Sequence, residues 1–149
     1  MAIDRRHIGV ESEPRTVEVE KWHLKFFAKA TGETDPVYFD EAAAKSVGHP
    51  AIPAPPTFVQ ALNLAAPAKR GDVFSDIGVD VVRALHAEQR FTHHRPIYAG
   101  DFVTLTTVTV DIYEKKGGAL EFIVQDTRAV NQFGQLCVEQ RGILAVRNS

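Results

Sequence analysis

The segment AIPAPPTFVQALNLAA, residues 51–66, decides the fold. Its prolines at positions 53, 55 and 56 exclude a helix before Thr57, because proline fixes φ and lacks an N–H donor. The residues from Thr57 onward are apolar nearly all round, and Pro56 or Thr57 suits the start of a helix. A helix that lacks a polar face is typical of a buried position. The segment therefore predicts a buried central helix that other elements must enclose.

Strand-like runs in the C-terminal half can supply that enclosure. They alternate polar and apolar residues or are rich in β-branched side chains, and they cover residues 85–97, 101–116, 120–131 and 136–148. Gly117-Gly118 and Gly134 indicate tight turns between the last three runs. Consecutive strands joined by short turns predict an antiparallel sheet. One long buried helix wrapped by a curved antiparallel sheet is an α+β fold of the hot-dog type.

Smaller elements are predicted before the central helix. Residues 1–14 are polar and predict an irregular arm, and the alternating residues 15–20 predict a short strand. An amphipathic helix is expected over residues 19–30, with Gly32 ending it. Its apolar side is expected to hold Trp22, Phe26 and Lys29, broadened by Leu24, Phe27 and Ala30. Asp40 as N-cap and Gly48 as terminator predict a second, short helix.

The bulk composition excludes several classes of protein. The 149 residues fit a single domain over 1–149, and a formal net charge of −2 gives no general attraction to nucleic acid or membrane. The single cysteine, Cys137, excludes an internal disulfide, and no Cys/His cluster has metal-ligand spacing. No apolar run approaches the ~20 residues of a membrane span, and residues 1–15 lack a signal core. We therefore expect a cytoplasmic protein without metal, nucleic acid or membrane partner.

Three motifs, in order along the chain, resemble the MaoC-like, FAS1-type dehydratase N-terminal family of hot-dog proteins. They are TGETDPVYFDEAAA at 31–44, AIPAPPTF at 51–58 and QRFTHHRPIYAGD at 89–101. The resemblance covers nearly the whole chain. It implies dehydration of (3R)-3-hydroxyacyl thioesters, or the reverse hydration. It also implies a substrate carried on coenzyme A or phosphopantetheine, with no separate cofactor.

The same resemblance implies where the catalytic groups would stand. Catalytic members carry an aspartate and a histidine five residues apart, in a loop of the form G-D-x-N-P-x-H. On this sequence the glycine is Gly32, the aspartate position is Glu33, the asparagine position is Asp35, the proline is Pro36 and the histidine position is Tyr38. Glu33 keeps a carboxylate on a longer side chain. Tyr38 is a poor base, because a phenol has a pKa near ~10.

The stretch DPVYFDE, residues 35–41, resembles the substrate-binding subunit of two-subunit hydroxyacyl-carrier-protein dehydratases. In those assemblies the other subunit carries the Asp/His dyad. The resemblance therefore implies a non-catalytic or weakly catalytic subunit. It also allows a heterodimer with a catalytic MaoC-type partner. Since a single hot-dog sheet leaves an open edge, we expect a homodimer of the isolated chain.

Three alternatives stay open at this point. A self-sufficient homodimeric hydratase would use Glu33, or a histidine such as His93 or His94, for proton transfer. A hot-dog acyl-CoA thioesterase would use a carboxylate to activate water. An acyl-binding module would bind the thioester without any effect on rate.

Further substrate-binding candidates surround the proline-rich segment. The N–H groups of Thr57 and Phe58, directly after Pro56, lie near a helix start, where a thioester oxygen could bind. The alternative is a rigid turn that binds nothing. His49 precedes this turn and could approach the thioester.

The motif at 89–101 adds His93, His94 and Arg95. Adjacent residues of a strand point to opposite faces, so the two histidines are not expected to share a metal or a pocket. Arg95 would contact a phosphate of the substrate carrier or form a structural ion pair. Glu33 and Asp35 could likewise form only a solvated turn.

Overall fold

The computed structural model of the chain describes residues 3–66 and 77–148. Its single antiparallel sheet has the order β1-β3-β4-β5-β2, which is the predicted α+β hot-dog arrangement. The strands are β1 (Arg15–Glu18), β2 (Ala84–His93), β3 (Phe102–Lys115), β4 (Leu120–Val130) and β5 (Leu136–Arg147). The helices are α1 (Lys21–Ala30), α2 (Glu41–Ser46) and α3 (Phe58–Ala65), with 3₁₀ turns at Arg5–His7, Pro36–Tyr38 and Val81–Arg83.

Helix α3 packs on one face of the sheet, as the opening segment predicts. Its buried residues Phe58, Val59 and Leu62 share one apolar cluster with β3 residues Val103 and Leu105. The helix is, however, only eight residues long, and Leu64 is 71% exposed. The predicted central helix is therefore present and buried on its inner side, but it is shorter and less enclosed than the sequence suggested. A single sheet covers only the side of a helix that faces it, which leaves the other side open.

Helix α1 packs through a different side from the one predicted. Leu24 and Ala28 are fully buried and Phe27 is half-buried, whereas Trp22 is 63% exposed and Phe26 is 66% exposed. At about 100° per residue, Trp22 and Phe26 stand opposite the buried pair. The placement of these two aromatic rings on the packing side is therefore wrong. Lys29 and Ala30 are exposed as well.

The helix also begins later than predicted. Val19 is fully buried and lies before the helix: its N–H donates to the Asp101 carbonyl at 2.8 Å, and its carbonyl accepts from the N–H of Gly100 at 2.8 Å. These two bonds join the start of α1 to the turn that precedes β3. The first helical residue is Lys21.

The N-terminal arm is more regular than predicted. The N–H groups of Gly9 and Ser12 donate to the carbonyls of Thr109 and Thr107, each at 2.7 Å, and Glu11 forms a bridge with Val108. The arm thus follows the free edge of β3 beyond β1, and only its first two residues lie outside the described part of the chain. Covering that edge hides unpaired backbone groups of β3.

Candidate active site

The loop that follows α1 is shaped by local caps. Gly32 has a φ of +78°, and the N–H of Glu33 donates back to the Ala28 carbonyl at 2.9 Å, which ends the helix in a glycine-dependent turn. Asp35 accepts a hydrogen bond at 3.0 Å from the N–H of Val37, so its carboxylate caps the next 3₁₀ turn. Of the two interpretations of Asp35, a residue of the catalytic loop or a residue of a solvated turn, this contact corresponds to the turn. Asp40 is a helix cap in the same way, accepting from the N–H of Ala42 at 2.8 Å.

The loop places Glu33, Asp35 and Tyr38 in one electrostatic environment. Burial raises the pKa of the Tyr38 phenol, and the negative charges of Glu33 and Asp35 raise that pKa further. A phenol in this setting keeps its proton near neutral pH, so it can donate a hydrogen bond but not act as a base. Within the described residues the Glu33 carboxylate has no hydrogen bond or ion pair.

The Tyr38 phenol is expected to ionise above the ordinary ~10 of tyrosine. Phenolate absorbance is titrated in the wild type and in Tyr38→Phe. The difference between the two curves reports Tyr38 alone, without Tyr98 and Tyr113. Glu33→Gln should lower the pKa of Tyr38 by removing one of the neighbouring charges, although burial remains. Because the folded-state pKa is raised, the associated stability is complete below pH ~10 and is lost as the pH rises through the folded value. A transition at or below that of free tyrosine would contradict the placement of the loop.

One of the two N–H donors predicted at the start of α3 is already used within the chain. The Phe58 N–H donates to the Pro55 carbonyl at 3.0 Å, so its expected role in binding a thioester oxygen is wrong. Its side chain is fully buried in the core. The N–H groups of Thr57 and Val59 have no acceptor among the described residues. These are the two donors that the helix start can present to a ligand.

His93 and His94 diverge, as strand geometry predicts. His93 Nε2 lies 2.8 Å from the Pro56 carbonyl, which can only accept, so Nε2 carries a proton and donates it to that carbonyl. His94 Nε2 instead lies 2.8 Å from the carboxylate of Glu139 on the other face. Among the described residues no three His, Cys, Asp or Glu side chains are grouped as metal ligands.

Arg95 follows this pair at the end of β2. The backbone N–H groups of His94 and Arg95 both donate to the Cys137 carbonyl, at 2.8 and 3.0 Å. The Arg95 guanidinium is exposed and forms no ion pair with any residue in the ranges 3–66 and 77–148. The interpretation as a structural ion pair is therefore wrong for the described chain. Cys137 itself is fully buried, and burial raises the pKa of its thiol.

His49 is held by a residue that sequence spacing did not reveal. Its Nδ1 lies 3.1 Å from the hydroxyl of Tyr98, whose N–H donates to the Asp101 carboxylate at 2.8 Å. The bridge between Pro53 and Tyr98 aligns the proline-rich segment with the turn before β3. The tyrosine in the YAGD turn was the available signal, but only the paired backbones show that it meets His49.

The predicted site residues thus form two groups. Glu33, Asp35 and Tyr38 share the loop after α1. The other group, at the start of α3, contains Pro56, Thr57 and His93; outside these groups His49 contacts Tyr98, Arg95 follows β2, and His94 is turned away. The groups are connected through the core, because the Phe58 ring contacts the rings of His23 and Phe27 on α1 at centroid distances of 4.8 and 5.4 Å.

A polar contact also fixes α3 to the sheet. Gln140 on β5 is buried, and its Nε2 donates to the Oε1 of Gln60 on α3 at 2.8 Å. Together with the bond from His93 to Pro56, it holds the first turns of the helix at a fixed distance from β2 and β5. The free N–H groups of Thr57 and Val59 are therefore supported by rigid elements.

A five-stranded antiparallel sheet packed on α3 defines a hot-dog protein, and the loop after α1 has the sequence Gly-Glu-x-Asp-Pro-x-Tyr. The chain belongs to the FAS1-like dehydratase domain region family, whose model matches residues 6–140. It is similar to a UPF0336 protein of Streptomyces griseus, with 34% identity over 141 residues that cover 93% of this chain and 91% of the relative. A UPF0336 protein of Thermobifida fusca is 33% identical over 148 residues, covering 99% and 95%.

Solved structures agree with this assignment. A chain of the HadBC (3R)-hydroxyacyl-ACP dehydratase complex from Mycobacterium tuberculosis is 27% identical, with a TM-score of 0.82 and coverage of 97% of this chain and 99% of that one. The R-hydratase PhaJ1 from Pseudomonas aeruginosa has a TM-score of 0.70 and 21% identity, with coverage of 95% and 83%, which supports the fold alone. None of the described helices is both long and apolar enough to cross a membrane.

Proposed function

We propose that this chain is the substrate-binding subunit of a (3R)-3-hydroxyacyl thioester dehydratase, working with a second hot-dog subunit that carries the Asp/His dyad. The observation that carries the proposal is the loop at Glu33 and Tyr38. The frame of the catalytic loop is kept, but the position of the base holds a phenol whose pKa is raised by burial and by two carboxylates. A group that holds its proton more tightly than usual cannot remove the proton next to a thioester carbonyl.

The free edge of the sheet supports assembly with another subunit. Within residues 3–66 and 77–148, strand β2 lies at one edge of the sheet and pairs only with β5. Val82, in the 3₁₀ turn just before β2, is 93% exposed, and Leu85 in β2 is 57% exposed. A second sheet would cover these apolar side chains. The similarity to a chain of the HadBC complex supports a hetero-partner. A homodimer of the isolated chain stays a prediction, which light scattering can check.

In the proposed complex this chain binds and polarises the thioester. The N–H groups of Thr57 and Val59 would donate to the thioester oxygen, where negative charge develops. His93 would keep that helix start in position through the Pro56 carbonyl. Arg95 would bind a phosphate of coenzyme A or phosphopantetheine. The dyad of the partner would remove the α-proton and protonate the leaving hydroxyl.

The test is hydration of a crotonyl thioester by the purified chain, alone and with a MaoC-type subunit that carries the dyad. We expect no turnover by the chain alone, and a rate at least ~100-fold higher in the complex, since acid–base groups contribute on that scale. Glu33→Gln should leave the rate of the complex within a few-fold. Glu114→Gln, in the distant β3–β4 hairpin, is the matched control for losing a carboxylate.

Other results would assign the chain differently. Turnover by the chain alone that disappears in Glu33→Gln would identify a self-sufficient hydratase. Release of free thiol without loss of the enoyl absorbance would identify a thioesterase. Binding of the thioester with no effect on the partner's rate would identify an acyl-binding module.

A further inference from the structure

The outer side of α1 combines exposed aromatic and basic side chains. Trp22, Lys25, Phe26 and Lys29 are all exposed, and at about 100° per residue they occupy one side of the helix over two turns. We call these four residues the α1 outer surface. Two large aromatic rings that are about two-thirds exposed are unusual for a surface without a partner, because each leaves apolar area in water.

The charges on this surface are not neutralised from within the chain. Glu41 of α2 holds Lys21 at 2.5 Å and Lys45 at 3.0 Å, so these two lysines have a partner. Lys25 and Lys29 have no acidic partner in the part of the chain that the structure describes. The α1 outer surface is therefore both apolar and positively charged, which matches an acidic partner with an apolar contact.

The indole of Trp22 is already oriented for contact. Its Nε1 donates to the Glu20 carboxylate at 2.7 Å, and its ring stacks on that of His23 at a centroid distance of 5.3 Å. Fixing the ring before binding lowers the entropy lost when a partner arrives. His23 in turn contacts the ring of Phe58 at the start of α3.

The surface lies next to the candidate active site. The last turn of α1 leads directly to Gly32 and Glu33, and the inner side of the helix meets the first residue of α3. A macromolecule seated on the outer side would be about one helix diameter, ~10 Å, from the free N–H groups of the α3 start. That separation suits a macromolecule that delivers its substrate on a flexible arm.

We propose that the α1 outer surface docks the acidic helix of an acyl carrier protein, so that the substrate arrives on phosphopantetheine rather than on free coenzyme A. The inference rests on the proposed function. Lysines one turn apart can face carboxylates one turn apart on a partner helix, while the two rings contact its apolar side. A second hot-dog subunit is a less suitable occupant, because its proposed place is β2, at the opposite edge of the sheet from β1, which leads into α1.

The test compares two forms of the same substrate. The complex of this chain with a dyad-bearing subunit is assayed with a crotonyl group on a carrier protein and with crotonyl-coenzyme A. Lys25→Glu combined with Lys29→Glu should raise KM about tenfold or more for the carrier-linked substrate, while KM for the coenzyme A thioester stays within twofold. Trp22→Gln with Phe26→Gln should act in the same direction. Lys116→Glu with Arg147→Glu, on the hairpin side, is the matched charge-reversal control and should change neither.

Binding is measured separately from turnover. Calorimetric titration of the full chain with holo carrier protein should give an affinity that falls as salt rises and that is lost in the Lys25→Glu, Lys29→Glu variant. This titration tests docking even if no complex gives turnover. Binding without turnover would therefore count against the proposed function, and turnover without this binding would count against the inference. The inference would be overturned if both double variants kept the wild-type affinity for the carrier protein. It would also be overturned if KM rose equally for the carrier-linked and the coenzyme A substrate, or if light scattering showed that the variants had lost the dyad-bearing subunit.

Discussion

A chain that carries Glu33→Asp together with Tyr38→His is expected to gain hydratase activity. The loop already has its glycine, its capped turn and its proline, so the two substitutions change only the groups that transfer protons. Aspartate shortens the side chain by one methylene, and imidazole has a pKa near neutrality, where a base is effective. The expected gain over the wild-type chain is about 10²–10⁴-fold, measured by loss of the enoyl absorbance of a crotonyl thioester.

The assay is sharpest in a complex whose other subunit has lost its own dyad, because any turnover then comes from this chain. The control moves the same pair by one residue, as Thr34→Asp with Phe39→His, which keeps the five-residue spacing and shifts its register. Only the pair at 33 and 38 should be active. Equal rates for the two variants, or no gain in a folded Glu33→Asp, Tyr38→His complex, would show that the loop does not face a bound thioester.

Local sequence signals predicted the elements of the fold but not every packing side. The glycines at 117, 118 and 134 have positive φ and mark the two hairpins where the sequence placed them. In α1, however, apolar residues spread over roughly two-thirds of the circumference at 100° per residue, with Trp22 and Leu24 on opposite sides. Periodicity therefore could not decide between the side of Trp22 and the side of Leu24, and only the contact with α3 and the sheet decides it.

The site was predictable in part for a similar reason. The spacing of Glu33, Asp35 and Tyr38 is local, so their shared loop could be inferred from the sequence, and strand alternation correctly separated His93 from His94. The partners of the histidines are distant in sequence: Pro56 for His93 and Tyr98 for His49. The N–H of Phe58 is used by Pro55 because the prolines form a tight turn there, a bond that composition alone does not reveal.

Phe58→Ala is expected to have the largest effect on stability. The Phe58 side chain is fully buried, and its ring contacts His23 and Phe27 edge-on. Removing a buried phenyl ring costs about 3–5 kcal/mol in transfer energy and cavity formation. That loss is a large fraction of the roughly 5–15 kcal/mol that stabilises a typical domain. Urea unfolding should show the lower midpoint, and Phe133→Ala, whose ring is 74% exposed, should stay within about 0.5 kcal/mol of the wild type.

The same substitution should weaken substrate binding in the chains that remain folded. Through Phe58, α1 contacts the helix start that presents the N–H groups of Thr57 and Val59, and the loop with Glu33 and Tyr38 follows α1 directly. Loss of the ring lets the two groups of site residues shift relative to each other, and a shift of ~1 Å can cost about 100-fold in rate. Phe58→Leu retains most of the apolar volume, so it should recover much of the stability. If Phe58→Ala left both the unfolding midpoint and the KM of the complex unchanged, the packing of α3 against α1 would be wrong.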